Sequence, residues 1–148
     1  MLNELFSDFI DAAEDDLRVM EESRYFGFKS ANSACFHAQQ YAEKMIKARL
    51  IQLGFKIERT HNLTFLLECF DDTPDIERAR VYCEILTRYE AKARYPMDGL
   101  VRFSPEEAEE AYEMAKEIPY LIGLFDASDR TISSGSPKRG LFSILRRR

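Results

Sequence analysis

Residues 34 to 54 read Ala34-Cys-Phe-His-Ala-Gln-Gln-Tyr-Ala-Glu-Lys-Met-Ile-Lys-Ala-Arg-Leu-Ile-Gln-Leu-Gly54. No proline or glycine interrupts this stretch before its last residue, so it predicts one continuous helix. One face of this helix is apolar and suits the interior of a bundle. The residues of that face are Ala34, Ala38, Ala42, Met45 and Leu53. The stretch therefore predicts a long amphipathic helix in a helical bundle.

A neighbouring strip of the same helix carries polar and basic side chains. At about 100° per residue, His37, Gln40, Lys44 and Lys47 fall within an arc of roughly 80°. An imidazole, an amide and two ammonium groups on one strip can hydrogen-bond and neutralise a phosphate group. Two interpretations remain open. The strip is a ligand-binding face, or it is solvated or makes only structural ion pairs and hydrogen bonds through residues such as Glu43.

Apolar spacing and punctuation residues divide the rest of the chain into further helices. The first predicted helix covers residues 2–24, with an apolar stripe that starts at Leu2 and Leu5. The others are predicted at 30–53, at a short segment from residue 60, at 74–94 and at 105–125. Thr73-Pro74-Asp75 and Ser104-Pro105-Glu106-Glu107 are helix start signals. No period-two segment is long enough to predict a strand.

These elements predict an all-α fold: an up-and-down antiparallel helical bundle of four long helices plus one short helix. We expect the bundle to span residues 1–127. Residues 128–148 are rich in Ser, Gly and Pro and then basic, so they predict a flexible basic C-terminal tail. The tail is either a solubilising segment or a docking segment for a partner, RNA or an anionic membrane.

Charge is distributed unevenly along the chain, which has 148 residues and a net charge of −5. Residues 31–60 carry 5 bases and 2 acids, whereas residues 1–30 carry 3 bases and 8 acids. The polar helix is therefore the basic part of an acidic domain. Because phosphate contacts supply most non-specific affinity for nucleic acids, such a domain is a poor general nucleic-acid binder. Any nucleotide or RNA would have to be bound locally.

Several protein classes do not fit the sequence. No apolar run is long enough to span a membrane, and the acidic amphipathic start does not resemble a signal peptide. Cys35, Cys69 and Cys83 are widely spaced on apolar helical positions, which predicts buried free thiols and a cytoplasmic location. Glu58-Arg-Thr-His61 has a Glu-x-x-His form but occurs once, so we expect no metal site and no cofactor.

A second candidate cluster lies at the predicted end of the fourth long segment. It reads Tyr89-Glu90-Ala-Lys92-Ala-Arg94-Tyr95-Pro96. The proline holds Arg94 beside a loop, and a guanidinium group suits bidentate recognition of phosphate. The arginine alternatively serves only as a charge complement to a helix C-terminus.

Three blocks of the chain together resemble the HEPN family of prokaryotic stand-alone type. They are Ala34-Cys-Phe-His37-Ala-Gln-Gln40-Tyr-Ala-Glu43-Lys44-Met-Ile-Lys47-Ala, Thr60-His61-Asn62-Leu63-x-x-Leu66-Leu67 and Ala93-Arg94-Tyr95-Pro96. The resemblance covers about residues 5 to 125. It implies a helical bundle, usually a homodimer, that often acts with a minimal nucleotidyltransferase in a toxin–antitoxin pair or a two-component enzyme.

Many HEPN proteins are metal-independent ribonucleases with the signature Arg, four to six residues, then His. Arg94 matches the arginine, but no histidine follows at the required distance. Without that imidazole the usual general acid/base is missing, so we expect no catalytic residue. The leading hypothesis is a non-catalytic nucleotide or RNA-phosphate binding module. Its expected site consists of His37, Gln40, Lys44, Lys47, Tyr89, Arg94 and Tyr95.

Two alternatives stay open beside this hypothesis. The first is a protein-interaction or antitoxin-type subunit that binds no ligand. The second is a divergent metal-independent ribonuclease that uses His37 or His61 in place of the missing histidine.

Overall fold

The structure is a computed structural model that describes residues 2–92 and 101–132. Within these ranges it contains six α-helices and one 3-10 helix, without any strand. The helices are α1 (Leu2–Tyr25), α2 (Ala31–Gln52), α3 (Leu63–Leu67), α4 (Pro74–Thr87), α5 (Tyr89–Lys92), α6 (Pro105–Leu121) and the 3-10 helix η1 (Ala127–Ile132). The long helices are α1, α2, α4 and α6, and α3 is the predicted short helix, so the predicted all-α bundle is confirmed; α5 and η1 are additional short helices.

Helix α2 is the centre of the bundle. It buries 14 of its 22 residues, because it contacts α1 on one side and α6 on another. The contacts at the two ends of α2 show the relative directions of the helices. Asn32 bonds Phe103 just before α6, and Arg49 Nε donates to Ile122 O just after it, so α2 and α6 run parallel. A connection of only five residues, 26–30, turns the chain from α1 into an antiparallel α2.

The helix starts follow the capping signals, whereas two helix ends differ from the prediction. The Thr73 hydroxyl accepts from Ile76 N, and Ser104 and Glu107 form a reciprocal capping box. The predicted helix at 74–94 ends instead at Thr87, since the Arg88 N–H bonds Ile85 O three residues back. A separate short helix, α5, follows. Helix α6 ends at Leu121 rather than at residue 125. Two residues after this end, Gly123 takes a left-handed φ of 77°.

Three apolar residues and one cysteine that we expected to be buried are exposed. Leu2, Leu5 and Leu53 lie at the shared end of α1 and α2. Arg49 already contacts the chain just past the end of α6, so residues further along α2 have no helix α6 to cover them. Cys69 is exposed because it follows the end of the short helix α3, while Cys35 and Cys83 are buried as predicted.

None of the helices in the described ranges is both long and apolar enough to cross a membrane. In the same ranges, no three potential metal-ligating side chains come together. Residues 133–148, which contain most of the predicted tail, lie outside the described part of the chain. Residues 128–132 form part of η1.

Candidate functional site

A groove of about 610 Å³ opens at the N-terminal end of α2. Its polar lining includes two exposed cations, Lys29 and Arg102, and its apolar walls include Phe36 and Phe103. No carboxylate is present among the described residues that line it. In a chain with a net charge of −5, a groove with two cations and no acid is a local site of positive potential.

The first residues of α2 also line the groove. Ser30 occupies the N-cap position, but its side chain makes no capping hydrogen bond. The first N–H groups of a helix have no partner within the helix, and the helix dipole places positive charge at this end. The backbone therefore adds to the field of the two cations.

Asn32 fixes the opposite wall of the groove. Its side-chain Nδ2 donates to Val101 O at 2.7 Å, and its Oδ1 accepts from Phe103 N at 2.8 Å. These two bonds attach the backbone around Arg102 to the first turn of α2. The Phe103 ring in turn packs edge-on against Tyr89, with 4.8 Å between the ring centres.

The predicted polar strip begins where the groove ends. Phe36 lines the groove and contacts the ring of His37 at 5.2 Å between centres. His37 Nδ1 lies 2.7 Å from Asp16 Oδ1, and Lys44 Nζ donates to Asp16 Oδ2 at 2.5 Å. An ionised carboxylate only accepts, so the first contact places a proton on Nδ1. The Asp16 side chain is 6% exposed, whereas those of His37 and Lys44 are 25% and 24% exposed.

Asp16 therefore bridges two members of the strip from helix α1. The sequence alone does not single out Asp16, because the spacing of α1 does not tell which of its acids faces α2. In this bridge the carboxylate of Asp16 already balances the charge of the Lys44 ammonium group. A phosphate group would have to share Lys44 with a buried carboxylate.

A second polar cluster surrounds the buried Glu43. Lys47 Nζ donates to Glu43 Oε1 at 2.8 Å, and His61 Nδ1 lies 3.1 Å from Oε2. Gln39 Nε2 donates to the same carboxylate at 3.2 Å, and Gln40 Nε2 donates to Gln39 Oε1 at 2.7 Å. Lys47 is itself buried. This part of the strip is a satisfied internal network that joins α2 to the segment before α3.

The remaining predicted site residues divide into two groups. Tyr89 is buried against Phe103, and burial raises the pKa of its hydroxyl to about 12. Its ring is therefore part of the wall behind the groove rather than an exposed stacking surface. Arg94 and Tyr95 lie outside the described residues.

The groove cations were missed in the sequence analysis. Lys29 lies in the turn before α2, and Arg102 lies just before the capping box of α6, so neither belongs to a periodic pattern. The available signal was their position: each basic residue lies two or three residues before the first residue of a helix.

Comparison with known proteins identifies the class of this bundle. The model of the HEPN domain matches residues 6–122, so the chain belongs to the HEPN family. The predicted family is thereby confirmed. No curated protein matches the chain significantly.

Two solved structures share the fold. TT1696 from Thermus thermophilus is 27% identical, with a TM-score of 0.69 over 80% of this chain and 96% of that chain. The archaeal HEPN homologue ST0689 is 24% identical, with a TM-score of 0.62 over 80% of this chain and 94% of that chain.

Proposed function

We propose that this chain is a non-catalytic HEPN module that binds a phosphate-bearing ligand, a nucleotide or an RNA phosphate. The observation that carries the proposal is the groove. Lys29 and Arg102 line it without a carboxylate among the described lining residues, in a chain with a net charge of −5. The positive charge of these two side chains favours binding of a phosphate in the groove.

The groove suits a nucleotide better than an inorganic anion. Phe36 and Phe103 supply partly buried aromatic surface beside the cations. A base binds to such surface by stacking, while the phosphate pairs with the guanidinium and ammonium groups. Asn32 holds the segment with Arg102 in place, which lowers the ordering cost of binding.

The polar strip extends the same face. His37 contacts Phe36, and Lys44 shares the Asp16 carboxylate with His37. Both side chains are about a quarter exposed, so a longer ligand such as RNA can contact them beyond the groove. Arg94 and Tyr95, which lie outside the described residues, remain candidate phosphate contacts in this proposal. Gln40 and Lys47 act mainly by holding the network around Glu43.

The test is a titration with a fluorescein-labelled single-stranded oligoribonucleotide in EDTA, with ATP as a second probe. The variant K29A/R102A should weaken binding at least tenfold. The matched control K56A/R59A removes two exposed cations from another loop and should leave affinity within about twofold. K44A/R94A tests Lys44 of the strip together with Arg94.

The outcomes separate the models. If K44A/R94A lost affinity for the RNA while K29A/R102A kept full affinity, the binding site would be at Lys44 and Arg94 rather than in the groove. Absence of RNA and ATP binding by the wild-type chain would remove the phosphate-binding function. Cleavage of the RNA in EDTA would contradict the non-catalytic assignment and identify a divergent ribonuclease.

A second candidate function, a protein-interaction subunit, is favoured by the exposed apolar end of α1 and α2. Leu2, Leu5, Leu53 and Phe55 are exposed there, and Leu2 retains 66% of its surface. Contiguous exposed apolar surface is typical of a protein interface. We propose that this end joins two copies of the chain or a minimal nucleotidyltransferase.

Co-expression with a nucleotidyltransferase encoded by the neighbouring gene tests this second candidate. The wild-type chain should co-elute with it at micromolar concentration, and L5D/L53D should not. The control V81D places the same charge on an exposed apolar position of α4 and should behave as wild type. A monomeric chain that co-elutes with no nucleotidyltransferase would exclude the interface.

A further inference from the structure

Helix α6 carries a row of four glutamates that the proposed function does not use. Glu106, Glu110, Glu113 and Glu117 are spaced by four, three and four residues. At about 100° per residue they fall within an arc of roughly 60°, so they form one acidic stripe along α6. Glu106, Glu110 and Glu113 are exposed.

The acidic stripe has few counter-charges in the described chain. Like charges three or four residues apart on a helix repel each other. The helix dipole favours acids only in the first turn, which contains Glu106 but neither Glu110 nor Glu113. The pKa of Arg24 is raised, first by its hydrogen bond with Glu109 and then by the charges of that residue and of Glu113. Arg24 is thus shared with a residue outside the stripe.

The chain returns to the C-terminal end of this stripe after α6. Arg130 Nη2 lies 3.0 Å from Glu117 Oε2, and its guanidinium carbon lies 4.6 Å from the centre of the Tyr120 ring. The described chain ends two residues later, at Ile132. The last described turn of the chain therefore lies at the C-terminal end of the acidic stripe.

The following segment has the opposite charge and sufficient length. Residues 133–148 contain five bases, Lys138, Arg139 and Arg146 to Arg148, and no acid. The stripe extends eleven residues from Glu117 to Glu106, about 17 Å of helix. Eight residues separate Arg130 from Lys138, and an extended chain of that length reaches about 26 Å. Lys138 and Arg139 can therefore reach every glutamate of the stripe.

We propose that residues 133–148 dock on the acidic stripe of α6, with Lys138 and Arg139 beside Glu110 and Glu113. The contact continues the ion pair between Arg130 and Glu117 in the N-terminal direction along the helix. Exposed ion pairs are individually weak and are screened by salt. Docking of the segment is therefore reversible, and the segment is released at high ionic strength.

Zero-length carbodiimide crosslinking of the full chain tests the docking. The reagent joins the Lys138 amine to a carboxylate that it touches, and peptide mass spectrometry identifies the pair. At 20 mM salt we expect amides from Lys138 to Glu110 or Glu113, and at least a fivefold loss at 1 M salt. The variant R139E keeps Lys138 as the probe and should reduce the same crosslinks severalfold, whereas R78E on α4 should not.

A second readout uses tryptic cleavage after Lys138 and Arg139 in the folded full chain. E110Q/E113Q should accelerate it severalfold, and the control E68Q/E84Q, which removes two exposed acids elsewhere, should not. Crosslinks from Lys138 mainly to acids of α1, such as Asp8, would overturn the proposal. In a mixture of isotopically labelled and unlabelled protein, crosslinks that form only between different chains would also overturn it. Equal cleavage rates in both double variants would do the same.

Discussion

Asp16 shows at the scale of one residue what sequence spacing leaves open. The strip with His37 and Lys44 was visible from the sequence, and structural ion pairs were one of its two interpretations. Its counter-ion lies on another helix, and only the packing register of α1 on α2 selects Asp16 from neighbouring acids such as Asp15. The groove cations Lys29 and Arg102 were missed because they flank helices rather than follow a period.

Replacing Asp16 by alanine should destabilise the fold markedly. The substitution leaves Lys44 and His37 partly buried without their acceptor, which costs about 2–4 kcal/mol. Asp15→Ala is the matched control: Asp15 is exposed and, among the described residues, pairs with Arg18 on the same helix, so its loss should cost about 0.5 kcal/mol or less. Urea unfolding measures both values. Equal costs for the two variants would show that the buried bridge does not stabilise the fold.

At the scale of the element, helix starts were predicted better than helix ends. The caps at Thr73 and Ser104 are local side-chain chemistry, so the sequence specifies them directly. The end of α4 at Thr87, where the Arg88 N–H bonds Ile85 O, has no glycine or proline nearby that would signal it in the sequence. The exposure of Leu53 likewise has no local signal, because it depends on where α6 ends.

Ser104→Ala should destabilise the chain by about 1 kcal/mol, because it removes the hydroxyl that accepts from Glu107 N at the start of α6. The reciprocal bond, from the Ser104 backbone N–H to the Glu107 carboxylate, does not need the hydroxyl. Ser30→Ala provides the control, since Ser30 occupies the N-cap position of α2 without a capping bond. We expect a change near zero for this second variant. Thermal unfolding of the two proteins tests the difference, and a larger loss in Ser30→Ala would contradict the assigned caps.

At the scale of the whole molecule, two buried cysteine thiols with raised pKa values predict that the fold loses stability at alkaline pH. Burial raises the pKa of the Cys35 and Cys83 thiols to about 12, with a smaller contribution from Glu107 at Cys35. The unfolded chain loses these protons near the ordinary pKa of 9.0, before the folded chain does. Stability should therefore be complete below that pH and decrease as pH rises from about 9 towards 12.

Melting temperatures between pH 8 and pH 11 measure this loss. The variant C83A should show a shallower decrease than the wild-type chain, while C69A, which removes an exposed thiol, should follow the wild type. A melting temperature that stays constant across this range would contradict the burial of the two thiols.

The salt dependence of RNA binding tests the central claim, a phosphate site in the groove of Lys29 and Arg102, most directly. For single strands, the slope of log affinity against log salt is about −0.7 per phosphate contact. If each cation contacts one phosphate, K29A/R102A should make the slope shallower by about 1.4, and K56A/R59A should leave it unchanged. An identical slope in wild type and K29A/R102A would contradict the phosphate site in the groove.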